Sequence, residues 1–285
     1  MNPADFETYR SLLKQKSGII VTPEKTYLLE SRLMPIVKQR DLTDLSGLAA
    51  AIQSNPNGPE MNEVIEAMTT NETSFFRDNT PFENFTNTCL PYFQKSRPTK
   101  RLKVWCAAAS SGQEPYSLRM LLGDRTDMAG WNYSILGTDL SRDILDIAEK
   151  GLYTQFEVQR GLPIQMLMKY FTQIEEKWQI SDEIRQAVQY KTLNLLDSFT
   201  SLGKFDLIFC RNVLIYFDEP TKADILKRLA AQMEPDSFLF LGGAETVLGI
   251  TDAFVPMPNV RGLYVLKDSP HLQKPEDANN QPLAS

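Results

Sequence analysis

Carboxylate, amide and guanidinium side chains follow the apolar runs in the second half of this sequence. Glu114 lies shortly after the run RLKVWC, in the segment AAASSGQEP, and Asp139 lies in the run YSILGTDL, 25 residues further on. In an open α/β sheet, ligands bind beyond the carboxyl ends of the strands, where a carboxylate after the second strand accepts hydrogen bonds from ribose hydroxyls. A carboxylate in the Glu114 position repels phosphate and attracts an ammonium. The pair therefore favours a nucleoside ligand without phosphate.

The first of these loops has a single glycine, Gly112, and does not match the GxGxxG phosphate-binding pattern. A turn glycine and a helix-capping aspartate would give the same spacing, and that structural interpretation stays open. Two further loops support a ligand site: Asn194 and Leu195 follow a third strand, and Arg211 and Asn212 end the buried run FDLIFC. An amide at the carboxyl end of a strand faces the crevice, so we expect Asn212 to contact the ligand.

The sequence excludes most nucleophilic and metal chemistry. His271 is its only histidine and lies in the polar segment DSPHLQKPEDANNQPLAS, where we expect no core to position it. Catalytic triads, Cys-His pairs and HExxH zinc sites are therefore excluded. Cys89, Cys106 and Cys210 are widely spaced in apolar surroundings without a CxxC pattern, so we expect buried free thiols and no metal site.

Composition is that of a soluble globular protein. The 285 residues are 42% hydrophobic and 10% aromatic, and 36 acidic against 30 basic side chains leave a net charge of -6. This balance argues against a general nucleic-acid-binding surface. No apolar run approaches the roughly 20 residues of a membrane span, so we expect a cytoplasmic protein without direct membrane insertion.

The elements that position these side chains fall into two domains. Residues 1–78 show helical spacing of apolar side chains, and residues 79–100 read as a connecting helix and linker. Residues 101–267 alternate short apolar runs with amphipathic helices, which is typical of an α/β fold with a mainly parallel sheet. Within them, the pieces YFTQI, KWQI and AVQYKTL predict a small inserted β-subdomain at about 155–192. The polar composition of residues 268–285 predicts a disordered tail.

Four segments carry a family resemblance. The blocks TNETSFFRD (70–78), SSGQEPYSLRMLL (110–122), ILGTDLS (135–141) and FDLIFCRNVLIYFD (205–218) resemble those of the CheR family, the chemotaxis-receptor glutamate O-methyltransferases that use S-adenosylmethionine. The match runs from the helical module to about residue 267. It implies a class I S-adenosylmethionine-dependent methyltransferase fold, with a Rossmann-like sheet, an N-terminal all-α domain and an inserted β-subdomain.

The resemblance also implies which residues line the cofactor pocket. They are Asn71, Thr73, Arg77, Glu114, Asp139, Asn194, Leu195, Arg211 and Asn212. The sequence departs from the family at two places. Ala109 stands where a cysteine is usual, and no glycine lies between Gly161 and Gly203, where some members carry a glycine-rich loop that recognises a C-terminal receptor pentapeptide. We therefore expect a member that does not use this tether.

Methylation of a glutamate suits a site without histidine. A glutamate side chain has a reference pKa of about 4.3, so the acceptor is already an anion at neutral pH and needs no general base. Catalysis then consists largely of aligning the carboxylate oxygen, the methyl carbon and the sulfur, and the product is S-adenosylhomocysteine. We expect Arg77 and Tyr216 to orient the acceptor carboxylate, with Arg77 also contacting the cofactor. Tyr216 as a purely packing aromatic is the alternative.

Charge is unevenly distributed in the helical module. Residues 10–40 contain seven basic and two acidic side chains, whereas residues 41–70 contain five acidic and no basic ones. An ordinary solvated face would give this asymmetry. The alternative is steering of an acidic receptor helix onto this module, for which Lys25, Arg32 and Lys38 are the predicted docking residues. The partner would be the cytoplasmic signalling domain of a chemoreceptor, bound by a monomer of this chain.

Three other functions stay open at this point. One is a methyltransferase for another protein or for a small carboxylic acid. Another is a non-catalytic module that binds the adenosyl cofactor or its demethylated product and docks on signalling complexes. A nicotinamide dehydrogenase fits the fold alone, but the missing GxGxxG pattern disfavours it.

Overall fold

The N-terminal domain is a bundle of four helices. The computed structural model describes residues 1–272. The helices are α1 (Pro3–Ser17), α2 (Thr26–Gln39), α3 (Leu45–Ser54) and α4 (Pro59–Met68). Their ends follow local sequence signals: the Asn2 side chain accepts a hydrogen bond from the Asp5 N–H at 2.8 Å, and Gly18 ends α1 with a φ of 75°. Buried Tyr9, Leu13 and other apolar side chains form its core.

A nearly continuous helix leads into the second domain. Helix α5 (Thr80–Asn84) passes through one π-helical turn (Phe85–Cys89) into α6 (Leu90–Ser96). Phe85, Leu90 and Phe93 are fully buried in the core of the second domain. The predicted connecting helix therefore packs against the sheet domain and contributes to its core.

The second domain is built on a seven-stranded sheet in the order β6-β2-β1-β7-β8-β10-β9. Strands β6, β2, β1, β7 and β8 are parallel, and β10 runs antiparallel to both β8 and β9. Two apolar clusters cover the faces of this sheet. The strands and helices of the domain are β1 (Arg101–Ala107), α7 (Gln113–Asp124), β2 (Asn132–Asp139), α8 (Arg142–Lys150), β3 (Leu152–Thr154), α9 (Gln155–Gln159), α10 (Ile164–Tyr170), β4 (Phe171–Ile174), β5 (Lys177–Ile180), α11 (Asp182–Arg185), β6 (Val188–Thr192), β7 (Phe205–Cys210), α12 (Glu219–Ala231), β8 (Met233–Leu241), β9 (Phe254–Pro256) and β10 (Leu263–Leu266).

The chain order reverses at the centre of this sheet. From β1 the chain moves outward to β2, and it later returns to β7 on the other side of β1. The carboxyl ends of β1 and β7 therefore border a crevice of the kind in which open α/β sheets bind ligands.

The inserted subdomain is smaller than predicted. It is a three-stranded antiparallel sheet in the order β3-β5-β4, and the third predicted piece, AVQYKTL, instead forms β6 at the edge of the main sheet, paired with β2. Gly137 on β2 favours the pairing of β6 with β2, because a Cβ at that position would lie 2.6 Å from the Tyr190 ring of β6. The prediction of strand character was right, and the sheet assignment was wrong.

The predicted tail begins too early. Residues Pro270–Leu272 form a 3-10 turn, and the His271 ring lies between Tyr92 and Phe238, with 4.3 Å between ring centroids in each pair. Its Nε2 lies 2.9 Å from the Asp236 carbonyl oxygen. The expectation that no core positions His271 was wrong, because this aromatic pair forms only when α6 packs on β8. The rest of the predicted tail, 273–285, lies outside the described residues.

All three cysteines are free and buried, as predicted. Within residues 1–272, no helix has both the length and the apolar character that crossing a membrane requires.

Candidate functional site

A cavity of about 970 Å³, part of it open to solvent, lies at the carboxyl ends of β1, β2 and β7. Its walls come from both domains, because Ser17, Ile19 and Met68 of the helical domain line it opposite the strand ends. The structure brings all the predicted cofactor and catalytic residues into this lining: Asn71, Thr73, Arg77, Glu114, Asp139, Asn194, Leu195, Arg211, Asn212 and Tyr216. Their individual roles remain predictions.

Arg211 forms a buried polar contact at the cavity. Its side chain is 2% exposed and donates hydrogen bonds to the Glu114 carboxylate at 2.7 Å, the Asp78 carboxylate at 2.8 Å and the Arg77 carbonyl oxygen at 2.8 Å. Its Nε has no partner among the described residues.

Asp139 ends β2 at the floor of the cavity. One carboxylate oxygen accepts from the Ser110 N–H at 2.8 Å and the other from the Ser141 N–H at 3.1 Å. Burial raises the pKa of Asp139, and these backbone donors oppose that shift. The carboxylate thereby joins the loop after β1 to the start of α8, and its contact with ribose stays a prediction.

Left-handed backbone conformations cluster around the cavity. Ala108 and Ser110 after β1, and Asn212 after β7, have φ values of 62°, 51° and 59°. Such conformations cost about 1 to 3 kcal/mol each and persist when the surrounding structure fixes them. Here the Ser110 hydroxyl donates to the Asn71 carbonyl oxygen at 2.8 Å, which ties the strand-end loop to the segment 70–78.

The segment 70–78 is anchored below by the inserted subdomain. Phe75 is fully buried, with its ring edge-on to Tyr153 and Phe171 at centroid distances of 5.0 and 5.6 Å. A Cβ on Gly161 would lie 2.2 Å from the Phe75 carbonyl oxygen, so only glycine fits there. In the same segment, the Arg77 guanidinium donates to the Glu72 carbonyl oxygen at 2.8 Å, and Arg77 lines the cavity.

Asn194 contributes to the interface between the two domains. Its Nδ2 donates to the Lys16 carbonyl oxygen at 2.6 Å, and its Oδ1 accepts from the Leu196 N–H at 3.0 Å. Nearby, the Ile20 N–H donates to the Tyr216 carbonyl oxygen at 3.1 Å. The side chain predicted from sequence to bind cofactor thus also holds the helical domain over the cavity.

The predicted docking residues differ in their surroundings. Lys25 and Lys38 are exposed at the two ends of α2. Arg32 is instead used within the fold, because its guanidinium donates to the carbonyl oxygens of Met68 and Thr69 at 3.0 and 3.1 Å. Carbonyl groups at the end of a helix have no partner within the helix, and Arg32 supplies one to these two at the end of α4. Arg32 is therefore partly buried and has a structural role, and its part in docking stays a prediction.

Sequence reasoning missed Glu245, which lies after β8. Its carboxylate accepts hydrogen bonds from four backbone N–H groups, those of Asn212, Val213, Leu214 and Gly242. The available signal was an acidic residue directly after the strand-ending sequence SFLFLGGA.

The residues of the cavity fit an adenosyl amino acid. Two carboxylates, Glu114 and Asp139, suit an ammonium and ribose hydroxyls. Among residues 1–272, no cluster of three or more metal-ligating side chains occurs. The chemistry of the lining thus matches an organic cofactor that carries both a positive amine and a ribose.

Comparison with known proteins gives the family. Residues 71–262 match the model described as CheR methyltransferase, SAM binding domain, and residues 4–69 match CheR methyltransferase, all-alpha domain. The chain is similar to chemotaxis protein methyltransferase Cher2 of Pseudomonas putida, with 41% identity over 88% of this chain and 93% of that protein. It is 42% identical to chemotaxis protein methyltransferase 1 of Pseudomonas aeruginosa, over the same shares, and 33% identical to the Escherichia coli chemotaxis protein methyltransferase, over 86% and 85%.

The two family models account for both domains of the structure, and they confirm the fold class and the cofactor that the sequence blocks implied. The chain therefore belongs to the CheR methyltransferase family, and its sheet domain is an S-adenosylmethionine-binding methyltransferase domain joined to an all-α domain.

Proposed function

We propose that this chain transfers a methyl group from S-adenosylmethionine to glutamate side chains of a chemoreceptor, forming glutamyl methyl esters. The observation that carries the proposal is the composition of one cavity. It combines the cofactor-type carboxylates Glu114 and Asp139 with Arg77 and Tyr216 and has no histidine in its lining. The names of the related proteins, chemotaxis protein methyltransferases, support the receptor as substrate.

The cavity residues have distinct tasks in this reaction. S-adenosylmethionine, when bound, supplies an electrophilic methyl group on its sulfonium. Asp139 would hold the ribose hydroxyls, and Glu114, already oriented by Arg211, would hold the ammonium. Because the Glu114–Arg211 pair is buried, its geometry is fixed before the cofactor enters. This preorganisation limits the conformational entropy lost on binding.

The acceptor glutamate needs orientation and no proton removal. Its carboxylate is ionised at neutral pH, since the reference pKa is about 4.3. Arg77 and Tyr216 lie on the cavity and would orient one carboxylate oxygen toward the methyl carbon. Holding two reactants in this way contributes on the order of 7 to 11 kcal/mol. Charge is neutralised during the transfer, so exclusion of water by the helical domain favours the reaction further.

We also propose that receptor binding does not depend on a C-terminal pentapeptide tether. Strands β4 and β5 are joined by Glu175 and Glu176 alone, and Glu175 has a φ of 54°. This short acidic turn leaves no room for a glycine-rich loop at that position. Receptor docking would instead use the exposed Lys25 and Lys38 of the helical domain, with the chain acting as a cytoplasmic monomer.

The decisive experiment is transfer of labelled methyl to a purified receptor signalling domain. A base-labile ester on glutamate is expected, and an alkali-stable label would contradict the carboxylate assignment. A panel of other proteins and small carboxylic acids serves as the control for substrate class. Removing the last five residues of the receptor is expected to leave kcat/KM unchanged, and a large loss would contradict independence from the tether.

A further inference from the structure

Glu245 lies outside the cavity lining, yet it binds the loop that forms one wall of the cavity. One carboxylate oxygen accepts from the N–H groups of Asn212 and Gly242 at 2.8 and 2.7 Å. The other accepts from the N–H groups of Val213 and Leu214 at 2.9 and 2.7 Å. Glu245 is 9% exposed, so these four bonds form in a largely water-free place.

A carboxylate is the side chain that this arrangement requires. Four donors converge on two oxygens, and an ionised carboxylate is an acceptor at all of its lone pairs. A glutamine would turn an NH2 group toward two of these N–H donors. Gly242 allows the close approach, because a Cβ there would lie 2.7 Å from the carboxylate and 2.9 Å from the Asn212 nitrogen.

The loop that Glu245 binds carries one residue predicted to contact the cofactor, Asn212, and one predicted to orient the acceptor, Tyr216. Asn212, in a left-handed conformation, and Tyr216, two residues after the last bonded N–H, both line the cavity. Three consecutive N–H groups, from residues 212 to 214, point to the one carboxylate. Because these bonds fix successive peptide planes, they fix the direction in which the loop presents Asn212 toward the cofactor and Tyr216 toward the acceptor.

We propose that Glu245 is a positioning residue for methyl transfer, which acts through the loop 212–216 and not by contact with cofactor or acceptor. The part that concerns the acceptor rests on the function proposed above, whereas the part that concerns Asn212 rests only on cofactor binding. Loss of the carboxylate would leave three consecutive N–H groups of the loop without their common acceptor and so release its position. A misplacement of about 1 Å can reduce a rate by about 10²-fold.

The test compares Glu245→Gln with Glu219→Gln, a matched substitution at an exposed position in the first turn of α12. Calorimetry against S-adenosylhomocysteine is expected to show at least about tenfold weaker binding for E245Q and no change for E219Q. In methyl transfer, kcat of E245Q is expected to fall about 10²-fold. The receptor KM is expected to stay within about twofold, because docking uses the helical domain.

A purely structural Glu245 would behave differently. E245Q would then unfold at a lower temperature, but at temperatures where it is folded it would keep the wild-type affinity for S-adenosylhomocysteine and the wild-type kcat. That result would overturn the proposal. Gly242→Ala provides a second variant if E245Q does not fold, because it keeps the charge and inserts a Cβ against it. The same fall in affinity and kcat is expected, and wild-type values would refute the inference.

The two proposals fail separately. If the wild-type chain transfers no methyl group to receptor, the proposed function fails, and the calorimetric arm still decides whether Glu245 positions Asn212.

Discussion

Arg211 and Glu114 form a buried ion pair, 2.7 Å between Nη1 and Oε2, that joins the end of β7 to the first turn of α7. The two side chains are 2% and 12% exposed. Breaking a buried pair by removing one partner costs about 3 to 5 kcal/mol, because the other charge stays buried and unpaired. This pair therefore links the stability of the fold to the shape of the cofactor cavity.

Arg211→Met is expected to lower the free energy of unfolding by about 3 to 5 kcal/mol and to weaken binding of S-adenosylhomocysteine at least tenfold. Arg211→Lys keeps the charge but not the fork of donors that reaches Asp78 and the Arg77 carbonyl oxygen, so intermediate losses are expected. Urea denaturation and calorimetry measure both. The exposed Arg142→Lys is the control, and equal losses there would remove the special role of the buried pair.

Tyr216→Phe separates chemistry from packing at the cavity. The ring and the carbonyl oxygen that accepts from Ile20 are kept, and only the hydroxyl is removed. We expect kcat to fall at least about tenfold, the usual lower range for loss of an orienting hydrogen bond in the transition state, with unchanged cofactor affinity. Tyr133→Phe, whose hydroxyl bonds the Met128 carbonyl oxygen away from the cavity, is the control. Wild-type kcat in Y216F would show that Tyr216 only packs.

Gly18 packs closely against the second domain. Its φ is 75°, and a Cβ there would lie 2.7 Å from the Phe217 ring. Gly130 has a similar φ of 79° with nothing within 4 Å, so Gly130→Ala reports the backbone cost alone, about 1 to 2 kcal/mol. Gly18→Ala is expected to lose about 1 to 3 kcal/mol more through overpacking. Equal denaturation midpoints for the two variants would contradict a tight interface at Gly18.

His271 is expected to make stability depend on pH. Burial lowers its pKa from the usual 6.5, and the neighbouring Arg97 charge acts in the same direction, while Asp236 opposes the shift. The unfolded chain therefore binds a proton at higher pH than the folded chain, so this contribution to stability is present above about pH 6.5 and is lost as pH falls from there through the lower pKa of the folded chain. His271→Phe keeps the ring between Tyr92 and Phe238 and removes the titration. Urea midpoints from pH 8 to 5 should fall more for wild type than for H271F, and parallel curves would refute this assignment.

Lys25 and Lys38 test the docking surface. The double substitution Lys25→Glu and Lys38→Glu is expected to raise the receptor KM about tenfold at low salt, less at high salt, without changing cofactor affinity, because steering of an acidic partner is screened by ions. The control is Lys95→Glu with Lys100→Glu, which makes the same change in net charge at exposed positions. These two residues precede the amino end of β1, whereas the cavity lies at the carboxyl ends of the strands. Equal KM changes in both double variants would contradict a local docking site. Arg32 is left intact because it caps α4.

The sequence predicted those parts of the site that depend on local patterns. The apolar spacing of residues 1–78 predicted the all-α domain, and the alternation after residue 101 predicted the α/β sheet domain. Glu114 and Asp139 could be placed in one crevice because the carboxyl ends of parallel strands meet at one edge of a sheet. Each of these inferences uses contacts within a few residues or a general rule of sheet topology.

Contacts distant in sequence escaped prediction. Glu245 binds the loop 212–216 from more than 30 residues away, and Asn194 reaches Lys16 across 178 residues. Arg32 is one of seven basic side chains in residues 10–40. The local sequence does not distinguish the one that binds backbone carbonyl oxygens from those on the surface. Likewise, strand β6 has the same local character whether it pairs within the insert or with β2.

By itself, the sequence determined the helix ends, the α/β architecture, the family and the residue types that line the cavity, because these follow from short-range periodicity, capping and recognisable blocks. Only the tertiary structure decided how the Arg211 guanidinium is shared, how Glu245 fixes the wall of the site and where His271 is held. The physical reason is that buried donors and charges must find partners, and which partner is in reach is settled only when the chain has closed on itself.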